Sequence, residues 1–241
     1  MGQRLKDKVA VVTGAGRGIG RAIAVALGGG GASVTLVSRT KADLEETARE
    51  VEAAGGRTAV QAGDLRRRAD CDAAVAAAVS AHGGLQILVN NAGIGSHVPV
   101  AETGDDLWND VLETNLGAAF RITRAALPHL TKRGGHVFMI SSLAGQNAIA
   151  GMAAYCASKA ALDHFAACLM LEVRHQGVKV TTIAPGSVDT SFGRDPGNAR
   201  GESWMLTAQD VAGAVMDLLG TRDGAHLSRV EMRPLRPPKR A

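Results

Sequence analysis

Short apolar runs alternate with longer stretches of helical pattern along the whole chain. Most of these runs are continuously apolar, which is typical of strands that are buried on both faces of a sheet. The runs predict seven strands, at residues 8–13, 33–37, 57–62, 85–90, 136–141, 178–185 and 226–232.

The stretches between the strands are amphipathic or alanine-rich, and they predict helices. Strict alternation of strand and helix is typical of a parallel sheet with helices on both sides. The sequence therefore predicts an α/β fold, a single Rossmann-type doubly wound domain over residues 1–241, with a seven-stranded parallel sheet and helices on both faces. The predicted helices run from the first glycines to about residue 28, and cover 41–55, 70–83, 105–132 (two helices), 152–175 and 207–220.

One segment, about 186–205, is rich in Gly, Ser and charged residues and has no strand or helix pattern. It follows the sixth predicted strand, and open α/β sheets bind ligands beyond the carboxyl ends of their strands. We favour a flexible loop that covers a ligand, with an ordinary surface loop as the alternative.

The composition fits one globular domain, with 241 residues of which 46% are hydrophobic and 21% charged. No apolar run approaches the roughly 18 residues that a membrane span needs, so we expect no membrane association. The net charge of +4 comes largely from a basic C-terminal tail, about 233–241. Because only 3% of the residues are aromatic, which is poor for base stacking, we interpret the tail as solvated and expect no nucleic-acid partner.

The chain has three cysteines, Cys71, Cys156 and Cys168. They are odd in number and lack the spacing of metal ligands. We therefore expect reduced thiols in a cytoplasmic protein and no bound metal.

The segment "TGAGRGIG" (13–20) follows the first predicted strand and begins a helix. A glycine turn at a helix N-terminus binds phosphate, because backbone N–H groups and the helix dipole favour an anion there. The spacing is T-G-x-x-x-G-x-G, carried by Thr13, Gly14, Gly18 and Gly20, and alone it is weak evidence.

The second strand ends in Ser38 and Arg39, where NAD sites usually carry an acidic residue for the ribose 2′-hydroxyl. A guanidinium suits a 2′-phosphate, and Arg17 in the glycine turn adds a second cation. We therefore favour NADP(H) over NAD(H). The alternative is that both arginines are simple surface charges.

Tyr155 is the only tyrosine in the chain, and Lys159 follows it one helical turn later in "YCASK". Residues four apart share a face of a helix. An ammonium close to a phenol favours the phenolate, so we expect Lys159 to lower the pKa of Tyr155 and to make it a proton donor and acceptor.

Two further polar positions accompany this pair. Ser141 and Ser142 end the fifth predicted strand, so one is expected to face the crevice and the other the scaffold. Asn115 opens the long helix before that strand, and a helix cap or a buried hydrogen-bonding residue is its alternative interpretation.

Together these segments resemble the short-chain dehydrogenase/reductase (SDR) family over Lys8 to about Pro234. The motifs occur in order and at the family's spacing, and seven motifs in register are highly specific. They are "TGAGRGIG" (13–20), "GDL" (63–65), "NNAG" (90–93), "TN" (114–115), "SS" (141–142), "YCASK" (155–159) and "PGSVDT" (185–190).

The resemblance implies an NADP(H)-dependent oxidoreductase that interconverts a carbonyl and an alcohol by hydride transfer. Tyr155 would be the general acid/base, and Lys159 would hold the nicotinamide ribose. Ser142 would hydrogen-bond the substrate oxygen, and Asn115 would hold a water in a proton relay. The implied cofactor contacts are Gly14, Arg17, Gly18, Ile19, Gly20, Ser38 and Arg39, Asp64 at the adenine amino group with Leu65, Asn91, Ala92 and Gly93 at the ribose, Tyr155, Lys159, Pro185 and Gly186, and Val188 and Thr190 at the carboxamide.

The C-terminal ending is similar to that of small bacterial members that reduce 3-oxo acids or semialdehydes, so a small polar substrate is favoured. A 3-oxoacyl carrier-protein reductase stays open, with Lys132, Arg133 and Arg174 as contacts for an acidic carrier. A non-catalytic NADP-binding scaffold is a third possibility.

The candidate pocket residues are His97, Leu143, Met152, Phe192 and Trp204. His97 and Trp204 have the alternative interpretation of ordinary packing residues. The family's habit of pairing through two long helices implies a homo-oligomer, a tetramer or a dimer, and the small-residue run 161–171 permits it.

Overall fold

The computed structural model describes residues 4–192 and 202–238. All seven predicted strands are present within them, in one parallel sheet of order β3-β2-β1-β4-β5-β6-β7. The strands are β1 (Val9–Thr13), β2 (Ser33–Ser38), β3 (Arg57–Ala62), β4 (Ile87–Asn90), β5 (Gly135–Ile140), β6 (Val178–Pro185) and β7 (Arg229–Met232).

Seven α-helices of the described residues connect the strands and cover both faces of the sheet, so the predicted doubly wound α/β fold is confirmed. The helices are α1 (Gly18–Gly29), α2 (Lys41–Ala53), α3 (Arg68–His82), α4 (Asp105–Leu112), α5 (Ala118–Arg133), α6 (Ala153–Val173) and α7 (Ala208–Leu219).

The core lies in two layers, one on each face of the sheet, because successive strand side chains point to opposite faces. Val11 packs into the layer under α3, α5 and α6, whereas Val12 packs into the layer under α1, α2 and α7. The largest side chains of the two layers, such as Leu88 and Phe138, are fully buried. Because both faces of the central strands are buried, the sequences of these strands are continuously apolar.

The sheet order reverses beside β1. The chain first adds β2 and β3 on one side of β1, and then returns to place β4 on the other side. Loops that leave β1 and β4 therefore diverge, and such a reversal opens a crevice at the carboxyl ends of the strands.

Two differences from the sequence prediction are larger than a shift of one or two residues at the end of an element. The last strand begins at Arg229 instead of residue 226, because the His226 ring lies 3.1 Å from the Val180 nitrogen and 2.8 Å from its oxygen, where a ladder partner would bond. The two helices within 105–132 are joined by a π-helical turn at Glu113–Gly117, in which the Ala118 N–H bonds to the Glu113 carbonyl.

No helix within 4–192 or 202–238 is long and apolar enough to cross a membrane.

We predict that Leu88→Ala, on the fully buried β4, lowers the free energy of unfolding by about 2–5 kcal/mol, because it removes buried methyl groups and leaves a cavity. Leu227→Ala is the matched control, since that side chain is 44% exposed, and it should cost at most about 1 kcal/mol. Urea unfolding measures both values, and equal losses would contradict the assigned core.

Candidate active site

A cleft of about 1460 Å³ runs along the carboxyl ends of the strands. Because the strands are parallel, the loops that follow all of them meet at this edge. One side of the cleft is lined by the glycine turn and by residues after β2, β3 and β4, and we call it the glycine-turn side. The other is lined by residues after β5, β6 and β7, and we call it the β5–β7 side.

The glycine turn is tightly packed. Gly14 and Gly18 have φ values of +63° and +56°, which side-chain-bearing residues rarely adopt. A Cβ on Gly20 would lie 2.2 Å from the Gly14 carbonyl oxygen, so any larger residue there would displace the turn. Ile19 lines the cleft beside these glycines.

Side chains tie this turn to the loop after β4. Thr13 Oγ1 accepts from the N–H groups of Asn91 and Ala92 at 2.9 and 3.0 Å and donates to the Val89 carbonyl at 3.1 Å. Asn91 Nδ2 donates to the carbonyls of Thr13 and Gly14 at 2.9 and 3.2 Å. The two loops at the reversal of strand order are thereby fixed relative to each other.

The N-terminus of α1 faces the cleft without a side-chain cap. Arg17 occupies the N-cap position, makes no capping hydrogen bond, and is followed by no acidic residue in the first turn. The first N–H groups of a helix have no partner within it and carry positive charge. This end of the glycine-turn side can therefore bind an anion.

Arg17 and Arg39 both line the cleft with Ser38, as the sequence predicted. A carboxylate that the sequence analysis missed, Asp43, lines it too. A Cβ on Gly16 would lie 2.8 Å from the Asp43 Cβ and 3.3 Å from Ser38 Oγ, so Asp43 packs against the glycine turn. Its place in the first turn of α2, directly after β2, was the available signal.

Asp64 and Leu65 line the cleft, and a second missed residue, Arg66, binds the Asp64 carboxylate. Arg66 donates to both Asp64 oxygens, with Nη2 at 2.6 Å from Oδ2, and its Nη1 lies 2.6 Å from Asp110 Oδ1. The hydrogen bonds from Arg66 hold the pKa of Asp64 below its ordinary value. Asp64 is thus a charged acceptor that is already held by a guanidinium.

Tyr155 and Lys159 lie on one face of α6, and both are buried. We call these two residues, together with Ser142, the tyrosine cluster. The Lys159 ammonium donates to the Ile140 carbonyl at 2.8 Å and lies 5.8 Å from the centre of the Tyr155 ring. Burial lowers the pKa of Lys159 to about 8, although the charge of Asp163 opposes the shift.

Burial also raises the pKa of Tyr155 above its ordinary value, and a hydrogen bond with Ser142 only partly offsets this. The expectation that Lys159 lowers this pKa is therefore wrong for the protein without a ligand, because removal of the phenol from water dominates. The phenol is neutral at neutral pH.

The two serines face different ways, as predicted. Ser141 is buried, and its hydroxyl lies 3.5 Å from the Lys159 carbonyl oxygen. Ser142 is partly exposed, accepts from the Ala144 N–H at 3.1 Å and is close enough to Tyr155 to lower the pKa of the phenol. Ser142 is thus the serine beside the phenol.

Asn115 lies in the π-helical turn and not at the start of the long helix, which corrects the sequence prediction. It is buried, and its amide oxygen accepts from the Ile94 N–H at 2.7 Å. Its amide nitrogen donates to the Ile94 carbonyl at 3.0 Å and to Ser158 Oγ at 2.9 Å. Asn115 therefore fastens the loop after β4 to α6, beside the tyrosine cluster.

Known proteins are similar to this chain. The family model described as short chain dehydrogenase matches residues 8–200. The chain belongs to the short-chain dehydrogenase family. An uncharacterized oxidoreductase of Staphylococcus epidermidis is 34% identical over 233 residues, which are 96% of this chain and 99% of the relative. Another, of Mycobacterium tuberculosis, is 41% identical over 190 residues, which are 78% of this chain and 72% of the relative.

The folds of two solved structures are closely similar to the fold of this chain. An alcohol dehydrogenase of the archaeon Thermococcus sibiricus, complexed with 5-hydroxy-NADP, has a TM-score of 0.90 at 27% identity, with 97% of this chain and 99% of that chain covered. A metagenomic short-chain oxidoreductase in complex with NADP has a TM-score of 0.85 at 36% identity, with 96% and 99% covered.

The remaining predicted contact residues, except Gly20, also line the cleft. Gly20 is buried at the start of α1. Thr190 packs over the glycine turn, since a Cβ on Gly18 would lie 3.4 Å from its methyl group. The other lining residues from the predicted set are Asn91, Ala92, Gly93, Pro185, Gly186 and Val188.

Four of the five candidate pocket residues line the cleft, namely Leu143, Met152, Phe192 and Trp204. The Phe192 ring lies 5.8 Å from the Tyr155 ring, centre to centre. His97 does not line it; the residue is exposed and its ring packs against Gly151. Of the predicted flexible loop, residues 193–201 lie outside the described residues.

The C-terminal tail is largely exposed as far as residue 238, which agrees with the interpretation of a solvated tail, but it also borders the cleft. Arg233, Pro234, Pro237 and Pro238 line the β5–β7 side of the cleft. A Cβ on Gly186 would lie 3.1 Å from Pro234 Cδ and 3.2 Å from Leu143 Cδ1. Pro234 therefore lies near Leu143, which directly follows Ser142 in the sequence.

The described residues contain no group of three or more His, Cys, Asp or Glu side chains that could hold a metal ion.

We predict that the burial of Lys159 makes the free energy of unfolding of this protein depend on pH. Because the pKa of Lys159 falls from 10.5 to about 8 on folding, the unfolded chain binds more protons between these values. The folded state therefore gains stability as pH rises through this range, by about 3 kcal/mol.

Lys159→Met removes this linkage. From pH 7.5 to pH 10.5, the unfolding free energy of the natural protein should therefore rise relative to that of the variant. Urea titrations at several pH values measure it, and parallel curves for the two proteins would contradict a buried ammonium.

Proposed function

We propose that this protein is an NADP(H)-dependent oxidoreductase that interconverts a carbonyl and an alcohol. The observation that carries the proposal is the tyrosine cluster itself. A buried phenol lies in the same cleft as the Ser142 hydroxyl, which acts to lower its pKa, and beside a buried ammonium. This cluster shares one cleft with an uncapped helix N-terminus that suits phosphate.

The glycine-turn side fits a dinucleotide. Gly14, Gly16 and Gly18 line the cleft without a side chain, which leaves room for a close approach of the pyrophosphate, whereas Gly20 lets the start of α1 pack against the Gly14 carbonyl. Bound there, the cofactor supplies the hydride. The residues that would hold it are Gly14, Arg17, Gly18, Ile19, Gly20, Ser38, Arg39, Asp64, Leu65, Asn91, Ala92, Gly93, Tyr155, Lys159, Pro185, Gly186, Val188 and Thr190.

The tyrosine cluster would donate the proton to the substrate oxygen. Ser142 holds the carbonyl oxygen by a hydrogen bond, next to the Tyr155 hydroxyl. Because burial keeps the phenol neutral, Tyr155 has a proton to give to that oxygen as negative charge develops on it. The Lys159 ammonium then stabilises the phenolate that remains, and Asn115 holds the neighbouring loop and the proposed relay water in place.

NADP(H) is favoured over NAD(H) by the charges around the end of β2. Arg17 and Arg39 line this part of the cleft and suit a 2′-phosphate, whereas Asp43 opposes it. The relatives solved with NADP and with 5-hydroxy-NADP support the same choice.

For the substrate we propose a small 3-oxo or 3-hydroxy acid or a semialdehyde. The carrier-protein alternative depended on Lys132, Arg133 and Arg174. These lie at the ends of α5 and α6 that lead into β5 and β6, so they are at the edge of the sheet opposite the cleft. A carrier docked there would be far from the tyrosine cluster, and no observation favours it.

The burial of two titratable groups argues against the alternative of a non-catalytic NADP-binding scaffold. Proteins without turnover have no need to bury an ammonium and a phenol together, and both groups are buried here. We also propose a cytoplasmic homo-oligomer that pairs through α5 and α6, on which Phe120 and Leu171 are 44% and 56% exposed.

We predict that Tyr155→Phe lowers kcat for carbonyl reduction by about 10²- to 10⁴-fold, because it removes the proton donor and keeps the ring. The affinity for NADPH, measured by cofactor fluorescence, should change by less than a factor of about 3. A variant with full turnover would disprove the role of the phenol.

We predict that Arg39→Asp weakens the binding of NADPH at least about tenfold more than that of NADH, since a charge-assisted bond to phosphate is replaced by repulsion. Asp43→Asn is the control, because it removes the nearby carboxylate and should move the NADPH/NADH ratio the other way. Dissociation constants from fluorescence titration test both, and an unchanged ratio in Arg39→Asp would remove this residue from phosphate recognition.

A further inference from the structure

The last described segment, Arg233–Pro238, has no role in the function proposed above. Because β7 is parallel to the other strands and ends at Met232, the chain leaves the sheet at the edge that carries the cleft. The segment then runs along the β5–β7 side, where four of its residues line the cleft.

Ion pairs anchor the start of this segment to the rest of the site. Arg233 Nη2 donates to Glu231 Oε2 at 2.9 Å, and Arg229 Nη1 donates to Asp163 Oδ2 on α6 at 2.8 Å. With its amide oriented to satisfy both neighbours, Gln146 donates to Glu231 at 2.6 Å and accepts from Arg229 at 2.9 Å. The loop after β5, the helix of the tyrosine cluster and β7 are thus joined.

The backbone beyond this anchor is restrained by its composition. Three of the residues from Pro234 to Pro238 are prolines, which fix φ and reduce the number of accessible conformations. Pro234 is also wedged close to Gly186 and Leu143. The segment is therefore a stiff wall of the cleft.

The charge on this wall stands out from its surroundings. The side chains around it on the β5–β7 side are mostly neutral. The apolar ones include Leu143, Ile149, Met152, Phe192, Trp204 and Met205, and the polar ones include Ser142, Gln146, Asn147 and Ser191. Among the described residues that line this side, Arg233 is the only charged one besides the buried Lys159.

Arg233 retains capacity for a ligand. Its side chain is 60% exposed, and a guanidinium carries five N–H donors, of which the bond to Glu231 uses one. Glu231 also pairs with Arg229 at 3.5 Å, so its charge is shared between two guanidinium groups. Positive charge therefore remains at the wall of a space whose other described lining side chains on the β5–β7 side are neutral, apart from Lys159.

We propose that Arg233 is a carboxylate-binding subsite, and that the protein selects oxo acids whose carboxylate pairs with this guanidinium while their carbonyl lies at the tyrosine cluster. A planar carboxylate suits the fork of a guanidinium. The stiff segment from Pro234 to Pro238 limits the size of the group between the two ends. This inference rests on the proposed function and names the substrate class within it.

The test compares a short-chain 3-oxo acid with its methyl ester, which differ in the charge and not in the carbonyl. Arg233→Gln should lower kcat/KM for the acid by about 10- to 100-fold, mainly through KM, because a charge-assisted hydrogen bond is lost. The value for the ester should stay within about twofold, and this also shows that the variant is folded.

Two further variants complete the series. Arg236→Gln is the matched control, because Arg236 belongs to the same segment and carries the same charge but does not line the cleft; it should leave acid and ester unchanged. Arg233→Lys keeps a cation and should retain part of the preference for the acid. Equal effects of Arg233→Gln on acid and ester, or no effect on either, would overturn the subsite.

A binding measurement separates this inference from the proposed function. Calorimetric titration of the NADP⁺-loaded protein with the 3-oxo acid and its methyl ester measures binding without turnover, because cofactor and ligand are both oxidised and no hydride can be transferred. A preference for the acid that Arg233→Gln abolishes supports the subsite, whereas equal affinities overturn it. Absence of turnover for every carbonyl would instead count against the proposed function, whichever way the binding result falls.

Discussion

Every strand of the sheet runs in the same direction, and this constraint decides where the chemistry lies. The carboxyl ends of all strands share one edge, and the order of strands turns back between β1 and β4, so the loops there open into a cleft. Thr13 and Asn91 fix the two loops by hydrogen bonds across the opening. Residues from distant parts of the sequence, from the glycine turn to the tail after β7, therefore meet in one site.

Within that site, burial acts on two titratable groups in ways that favour one chemical state. It raises the pKa of Tyr155 and lowers the pKa of Lys159 to about 8, so that at neutral pH a neutral phenol stands beside an ammonium. The Ile140 carbonyl and the charge of Asp163 help to hold this ammonium away from water. Keeping a proton donor and a cation together as buried side chains has a cost in stability.

Much of this arrangement could be predicted from the sequence, because it depends on local patterns. Continuous apolar runs identified the strands, and the glycines, the only tyrosine and the paired serines identified the lining of the cleft. The exceptions depend on tertiary contacts: the His226 ring shortens the last strand, and a π-helical turn relocates Asn115. Arg66 with Asp110, and Pro234 with Gly186, join residues that are far apart in the sequence, so no sequence spacing reveals these contacts. The direction of the Tyr155 shift likewise required its burial to be known.

Because Tyr155 is the only tyrosine of the chain, the ionisation of this one phenol can be followed directly by ultraviolet absorbance during a pH titration. The measurement uses the protein without cofactor, with far-ultraviolet circular dichroism to confirm that it stays folded and Tyr155→Phe as the blank. A buried, neutral proton donor predicts a midpoint above the ordinary value of 10.0. A midpoint below that value would contradict it, and would show that the charge of Lys159 outweighs burial.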